Sequence, residues 1–267
     1  MYHASSISLD SPLLLTCEHA STFIPPEYNN LGLTEHQTSH CKDLDDPGVV
    51  PLLDGLARHF ECSSVRAEVS RLVVDVNRRI DAHNKNANTF HSSLIKTQIL
   101  VEDGRGEYFV DIPHNQKKIQ EEGTAYEQSM YELVSIPYQK EILRIVDMLI
   151  EKHGYAYVLS VHTMFPTYNG PLRPHIFDVM GYDGSPLFES LFANLAQEPV
   201  VVGKNEPWGM ASVDGGALHV LMGNERVSFA GVEVRNDIAQ SASEQTIKRL
   251  IHALEPIVSQ KLNAPLG

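Results

Sequence analysis

Short β-rich runs alternate with longer helical patterns along this chain, an order that builds a mostly parallel sheet with helical crossovers. That constraint sharpens at the ends of the runs. Leu13-Leu14-Leu15-Thr16-Cys17-Glu18-His19 and Val158-Leu159-Ser160-Val161-His162 each close on a histidine. Ser70-Arg71-Leu72-Val73-Val74-Asp75-Val76-Asn77-Arg78 carries two arginines, and Gly231-Val232-Glu233-Val234-Arg235 ends in a carboxylate beside an arginine. Open α/β sheets bind ligands at the carboxyl edge of their strands. Four runs with capable termini therefore predict one site at one edge of an α/β sheet.

The alternation places strands at 11–17, 64–75, 156–162, 175–181, 199–203 and 229–234. Helices are expected over 47–60, with Pro47 in the first turn, and over 125–153, where Pro137 interrupts or restarts the pattern. Further helices fit 186–197, 212–223 and 243–259. No linker or repeat divides the 267 residues, so one domain is expected. The polar segment 79–124 is too long for an ordinary connection and is read as a functional loop, a candidate lid.

Charge narrows the partners. A formal net charge of −13 argues against a nucleic-acid surface, which needs clustered lysines and arginines. An anion site must then be local and built from a few guanidinium groups. No apolar run reaches the ~18 residues of a membrane span. Met1–Ser6 has no basic region or apolar core of a signal peptide, and three cysteines form no Cys-x-x-Cys pair, so a cytoplasmic protein is expected.

Neutral imidazoles at two strand ends suit zinc, whose catalytic sites keep three protein ligands and one open position. His19 and His162 are two of them. Asp46 is the choice for the third, with Asp43, Asp45 and Glu18 open, since an aspartate before a helix is also a natural cap. Arg71 and Arg78 divide two tasks, one polarising a scissile carbonyl and one binding a carboxylate with help from Asn77. Glu233 is either a general base or the structural partner of Arg235. Arg173 is a candidate for a second substrate carboxylate, His219 lines the site or caps a helix face, and Cys17 is a thiol nucleophile or a small core residue.

Taken in order, Cys17-Glu18-His19-Ala20-Ser21, Asp46-Pro47-Gly48, Ser70 to Arg78, Ser160-Val161-His162-Thr163-Met164, Gly170-Pro171-Leu172-Arg173-Pro174, Gly203 to Trp208 and Val232 to Asp237 resemble the N-formylglutamate amidohydrolase family. The resemblance implies a mixed, mostly parallel sheet flanked by helices, zinc-carboxypeptidase-like (phosphorylase/hydrolase-like). It implies zinc-assisted hydrolysis of an N-acyl acidic amino acid, with His19 and His162 as metal ligands, Glu233 as general base and Arg71, Asn77 and Arg78 on the substrate. The chain departs from the pattern at the middle ligand, where Thr22 stands at the glutamate of a His-x-x-Glu spacing. A non-catalytic binding protein for an acidic amino-acid derivative would keep the arginines and need no metal.

Overall fold

In chain order the strands are β1 (His3–Leu9), β2 (Leu13–Cys17), β3 (Cys62–Ala67), β4 (Gln98–Asp103), β5 (Gly106–Asp111), β6 (Ala156–Met164), β7 (Phe177–Met180), β8 (Val202–Lys204) and β9 (Val227–Arg235). The α-helices are α1 (Glu35–Ser39), α2 (Val49–Phe60), α3 (Pro113–Glu122), α4 (Thr124–Met130), α5 (Ile136–His153), α6 (Pro186–Leu195), α7 (Asn236–Ser241) and α8 (Ser243–Val258). This computed structural model describes residues 3–80, 93–167, 170–206, 209 and 216–259.

Seven strands form one sheet in the order β1-β3-β2-β6-β9-β7-β8. β3, β2, β6 and β9 run parallel, while β1 and β7 each pair antiparallel with a neighbour. The expected mixed, mostly parallel α/β sheet is therefore what the chain forms. Parallel strands are buried on both faces, and β2 and β6 read as unbroken buried runs for that reason. Leu13, Leu15, Tyr157, Leu159, Val161, Ala230, Val232 and Val234 pack under α2, α6 and α8. The opposite face, with Leu14, Val158 and Phe229, lies under α5.

Several boundaries differ from expectation. The strand expected over 64–75 stops at Ala67, and Ser70–Arg78 is a chain of turns across the carboxyl edge. Backbone bonds from Ser70 N to Phe23 O, Asp75 N to Leu94 O and Arg78 N to Asp75 O replace a ladder. Leu72, Val73, Val74 and Val76 are all buried, and such a run has no periodicity to separate strand from packed loop. The described part of 79–124 is largely regular: β4 and β5 form a hairpin and α3 follows it. Residues 81–92 of that lid segment lie outside the described residues.

Pro137 restarts the long helical region as expected, standing in the first turn of α5 after a π-turn at Tyr131–Ser135. The 212–223 helix is a 3-10 turn at Gly216–Leu221, and 211–215 lie outside the described residues. Pro47 precedes α2 instead of entering it. Gly48 caps that helix in the left-handed region (φ 85°), and a Cβ there would press on Ala239 and Gln240. No described helix is long and apolar enough to cross a membrane.

Candidate active site

Parallel pairing of β2 with β6 and of β6 with β9 brings their carboxyl ends to one edge. His162 stands in register with Glu233, and Glu233 with Asp178 on antiparallel β7. Cross-strand partners share a face, so these three side chains form a row. His19 arrives from just beyond β2. Asp46 arrives from the turn before α2, held by its own N–H donating to the His19 carbonyl at 2.9 Å.

Asp46 settles between the two imidazoles. Its Oδ2 lies 2.8 Å from His162 Nδ1 and 3.5 Å from His19 Nδ1. All three residues are buried. The opposite nitrogens are also engaged: His19 Nε2 meets Asp75 Oδ1 at 2.8 Å, and His162 Nε2 meets Glu18 Oε2 at 2.9 Å. A carboxylate behind each ring fixes the Nε2–H tautomer and turns Nδ1 inward, the arrangement metal-ligating histidines have. Ligand atoms of His19, Asp46 and His162 all fall within 4.8 Å of one another. Among the described residues no other His, Cys, Asp or Glu group does so.

The donor chemistry fits a divalent cation, since two imidazoles and a carboxylate suit zinc and several neighbouring metals. Arg71 offers a second sign of a cation position. Its Nη1 lies 3.0 Å from His19 Nδ1 and 2.9 Å from Asp46 Oδ1, so positive charge already sits against the same donors.

The third-ligand alternatives separate cleanly. Glu18 is occupied behind His162, where its Oε1 accepts from Tyr138 at 2.9 Å and its Oε2 from Ser160 at 2.6 Å. Asp43 accepts the Leu100 N–H at 2.8 Å, and Asp45 is only partly buried outside the cluster. Capping does not explain Asp46, because no side chain caps α2.

Electrostatics follow from this packing. Burial opposes the charge on Glu18, yet hydrogen bonds from His162 and Ser160 hold its carboxyl down at about 2. Burial likewise opposes the His162 cation, but Asp46 and Glu18 raise it to about 10. Burial raises Glu233, the nearby Asp46 charge adds to this, and His162 and Arg173 act against it. Asp178 is pushed to about 8, mainly by burial and also by Glu233, despite the Glu206 N–H it accepts at 3.0 Å.

Asn77 accepts the Ala217 N–H at Oδ1 (2.9 Å), leaving its amide hydrogens as the groups available to a carboxylate. Arg78 donates from Nη1 to the Asn77 carbonyl at 2.7 Å. The Arg173 charge opposes the upward shifts of Glu233 and Asp178 without reversing them. Arg235 is not the partner of Glu233, because its guanidinium forks onto Asp237 at 2.9 Å through both Nε and Nη2. Asp75 holds His19 through Oδ1. Cys17 faces the α2 side of the sheet, and burial, with Asp46 and Glu18, holds its thiol well above the usual range. That removes it as a nucleophile. His219 Nδ1 meets the Gly216 carbonyl at 2.9 Å within its own turn.

Sequence reasoning did not single out Tyr138, Ser160, Asp178, Lys42 or Lys96. Lys96 is buried, with Nζ 3.9 Å from Asp75 Oδ2. A lysine or aspartate inside an apolar run was the available signal, because such residues are seldom buried without a partner.

Fold and donor set together define an α/β protein with a candidate divalent-metal centre at the carboxyl edge of its sheet. The model of the N-formylglutamate amidohydrolase family matches residues 11–239, and the chain belongs to that family. Amidohydrolase chemistry is thus its functional class. A gene product from Agrobacterium tumefaciens of known structure is similar to it at 23% identity, with 96% of each chain covered and a TM-score of 0.73. The N-formylglutamate amidohydrolase from Ralstonia eutropha JMP134 is similar at 16% identity, with 97% of each chain covered and a TM-score of 0.63. At these identities the likeness shows the shared fold. No curated protein matches the chain.

Proposed function

We propose that this protein is a metal-dependent amidohydrolase that cleaves the amide bond of an N-acyl acidic amino acid, N-formylglutamate being the first substrate to test. The observation that carries the reading is the buried donor triad of His19, Asp46 and His162, with Glu233 in register beside His162 and Arg71 against Asp46. A divalent ion held by the triad would supply a Lewis acid and acidify water; zinc is the first candidate.

The chain's own residues do the rest. Glu233, made more basic by burial, takes a proton from the attacking water and returns it to the leaving nitrogen. Arg71 stabilises the oxyanion that develops on the carbonyl oxygen. Arg78 and Asn77 bind the α-carboxylate, since a guanidinium fork matches two carboxylate oxygens. Arg173 meets a second carboxylate. Asp75 and Glu18 hold the two imidazoles in the required tautomer. The partner is then a small anionic molecule, bound locally by an otherwise acidic protein.

The test is a hydrolysis screen of N-formyl, N-acetyl and N-succinyl acidic amino acids, with and without chelator, beside elemental analysis. Stoichiometric metal and chelator-sensitive turnover are expected, with Glu233→Gln abolishing turnover while metal content stays intact. Full activity in Glu233→Gln overturns the role of that residue. A metal-free protein that binds these compounds without cleaving them overturns the enzyme reading.

A further inference from the structure

The segment between β6 and β7 joins the strand of His162 to the strand of Asp178. Its ends are closed on each other by the Arg173 N–H donating to the Pro166 carbonyl at 2.8 Å. Two cationic side chains from outside then hold its stems. Arg235, two residues beyond Glu233 on β9, donates from Nη1 to the Arg173 carbonyl at 3.1 Å, while Asp237 grips the rest of the guanidinium. Lys42, with a side chain only 4% exposed, donates to the Thr167 carbonyl at 3.0 Å and lies 5.1 Å from the centre of the Phe165 ring.

Neither cation is placed for solubility. Lys42 belongs to the strip that leads to Asp46 and is also bound by Glu102 and Glu107 of the β4–β5 hairpin. Arg235 spends one donor on a main-chain oxygen that water could have satisfied. A planar guanidinium fixed by a carboxylate presents its remaining N–H groups in a set direction. The carbonyl so held belongs to Arg173, the residue whose charge reaches Glu233 and Asp178.

We propose that Arg235 is a positioning residue for substrate recognition: through the Arg173 carbonyl it fixes the Arg173 side chain beside Glu233, with Lys42 securing the other stem. Substrates bearing a second carboxylate depend on this clamp, and substrates with a neutral side chain do not. The proposal rests on the amidohydrolase reading above.

The test compares kcat/KM for N-formylglutamate and N-formylglutamine in the full-length, metal-loaded protein. Arg235→Gln is expected to lower the glutamate-to-glutamine preference about tenfold, mainly through KM, as loss of a charged hydrogen bond would. Arg173→Gln should lower it alike, and the double variant should lose no more, because one residue acts through the other. Asp237→Asn, which loosens the fork without removing it, should shift the preference in the same direction by less. Equal losses on both substrates, or additive losses in the double variant, overturn the proposal.

A second measurement needs no substrate. Hydrogen exchange in peptides covering 164–176 should quicken in Arg235→Gln while β6 and β9 stay protected. Unchanged exchange there refutes the clamp itself. If the wild type hydrolyses neither compound, the functional reading fails and the recognition role with it, while the exchange result still decides whether the clamp exists.

Discussion

Replacing Glu18 by Gln tests the claim that the site is built to hold a metal through Nδ1 of each histidine. Glu18 is buried and accepts from Tyr138 and Ser160 while facing His162 Nε2 at 2.9 Å. A glutamine of nearly the same shape fits, and its oxygen still accepts from Ser160 and His162. Its amide group meets Tyr138, whose hydroxyl can accept. What disappears is the negative charge behind the ring that makes His162 a better donor. Losing such an outer partner costs about 10–100-fold in metal affinity, or roughly 1.4–2.7 kcal/mol.

The assay is competitive zinc titration against a chromophoric chelator at fixed pH, with circular dichroism confirming the fold. Asp45→Asn is the control, because Asp45 lies outside the donor triad and should leave affinity unchanged. Zinc affinity within twofold of wild type in Glu18→Gln would refute the reasoning, whatever happens to activity.

Other outcomes follow from the same geometry. The metal-free protein should be most stable between the usual carboxylate and imidazole ranges, read as melting temperature against pH in chelator. Glu18, held down at about 2, contributes stability above 4.5 that is lost as pH falls towards 2; His162, raised to about 10, contributes below 6.5 and is lost as pH rises towards 10. Asp178 binds its proton more tightly in the folded state, so stability falls from 3.8 up to about 8. Asp178→Asn should flatten that decline between 3.8 and about 8, and an unchanged slope over that range would refute it. Gly216→Ala forces a Cβ to 2.0 Å from Asn77 Oδ1 at φ 53°; left-handed strain of about 1–2 kcal/mol and a displaced hydrogen bond of about 1–3 kcal/mol should lower the melting temperature by on the order of 5–10 °C and raise KM. Arg78→Ala should raise KM for anionic substrates at least about tenfold with less effect on kcat; the reverse split would move Arg78 from binding to catalysis.

The architecture was legible because buried parallel strands leave long apolar runs, and His19, His162 and Glu233 stand at or just beyond their ends. The sequence favours Asp46 but leaves Asp43, Asp45 and Glu18 open beside it, since Gly48 and the turn before α2, not any local periodicity, aim it at the sheet edge. The Ser70–Arg78 run reads as a strand because its apolar residues are closely spaced, while in the fold they are buried in a cluster that takes in β4, α4 and α5. The hairpin had a visible signal in Gly104-Arg105-Gly106, where Gly106 takes the left-handed region (φ 97°), hidden by the polar residues around it. Outer partners such as Tyr138 and Ser160 left no mark, because a hydroxyl on a helix or strand looks the same whether it meets a carboxylate or solvent.

One consequence of the strand order concerns the folding of the chain. His162 and Asp46 are 116 residues apart in sequence, and they meet only after β2 has joined β6. An N-terminal fragment carrying His19 and Asp46 lacks the third donor, so a nascent chain has no high-affinity centre until most of its length is made. Metal capture should then come late and lock a sheet already assembled. Release of metal during denaturation would consequently report rupture at the middle of the sheet, while fraying of β1 or β8 at its margins would go unseen.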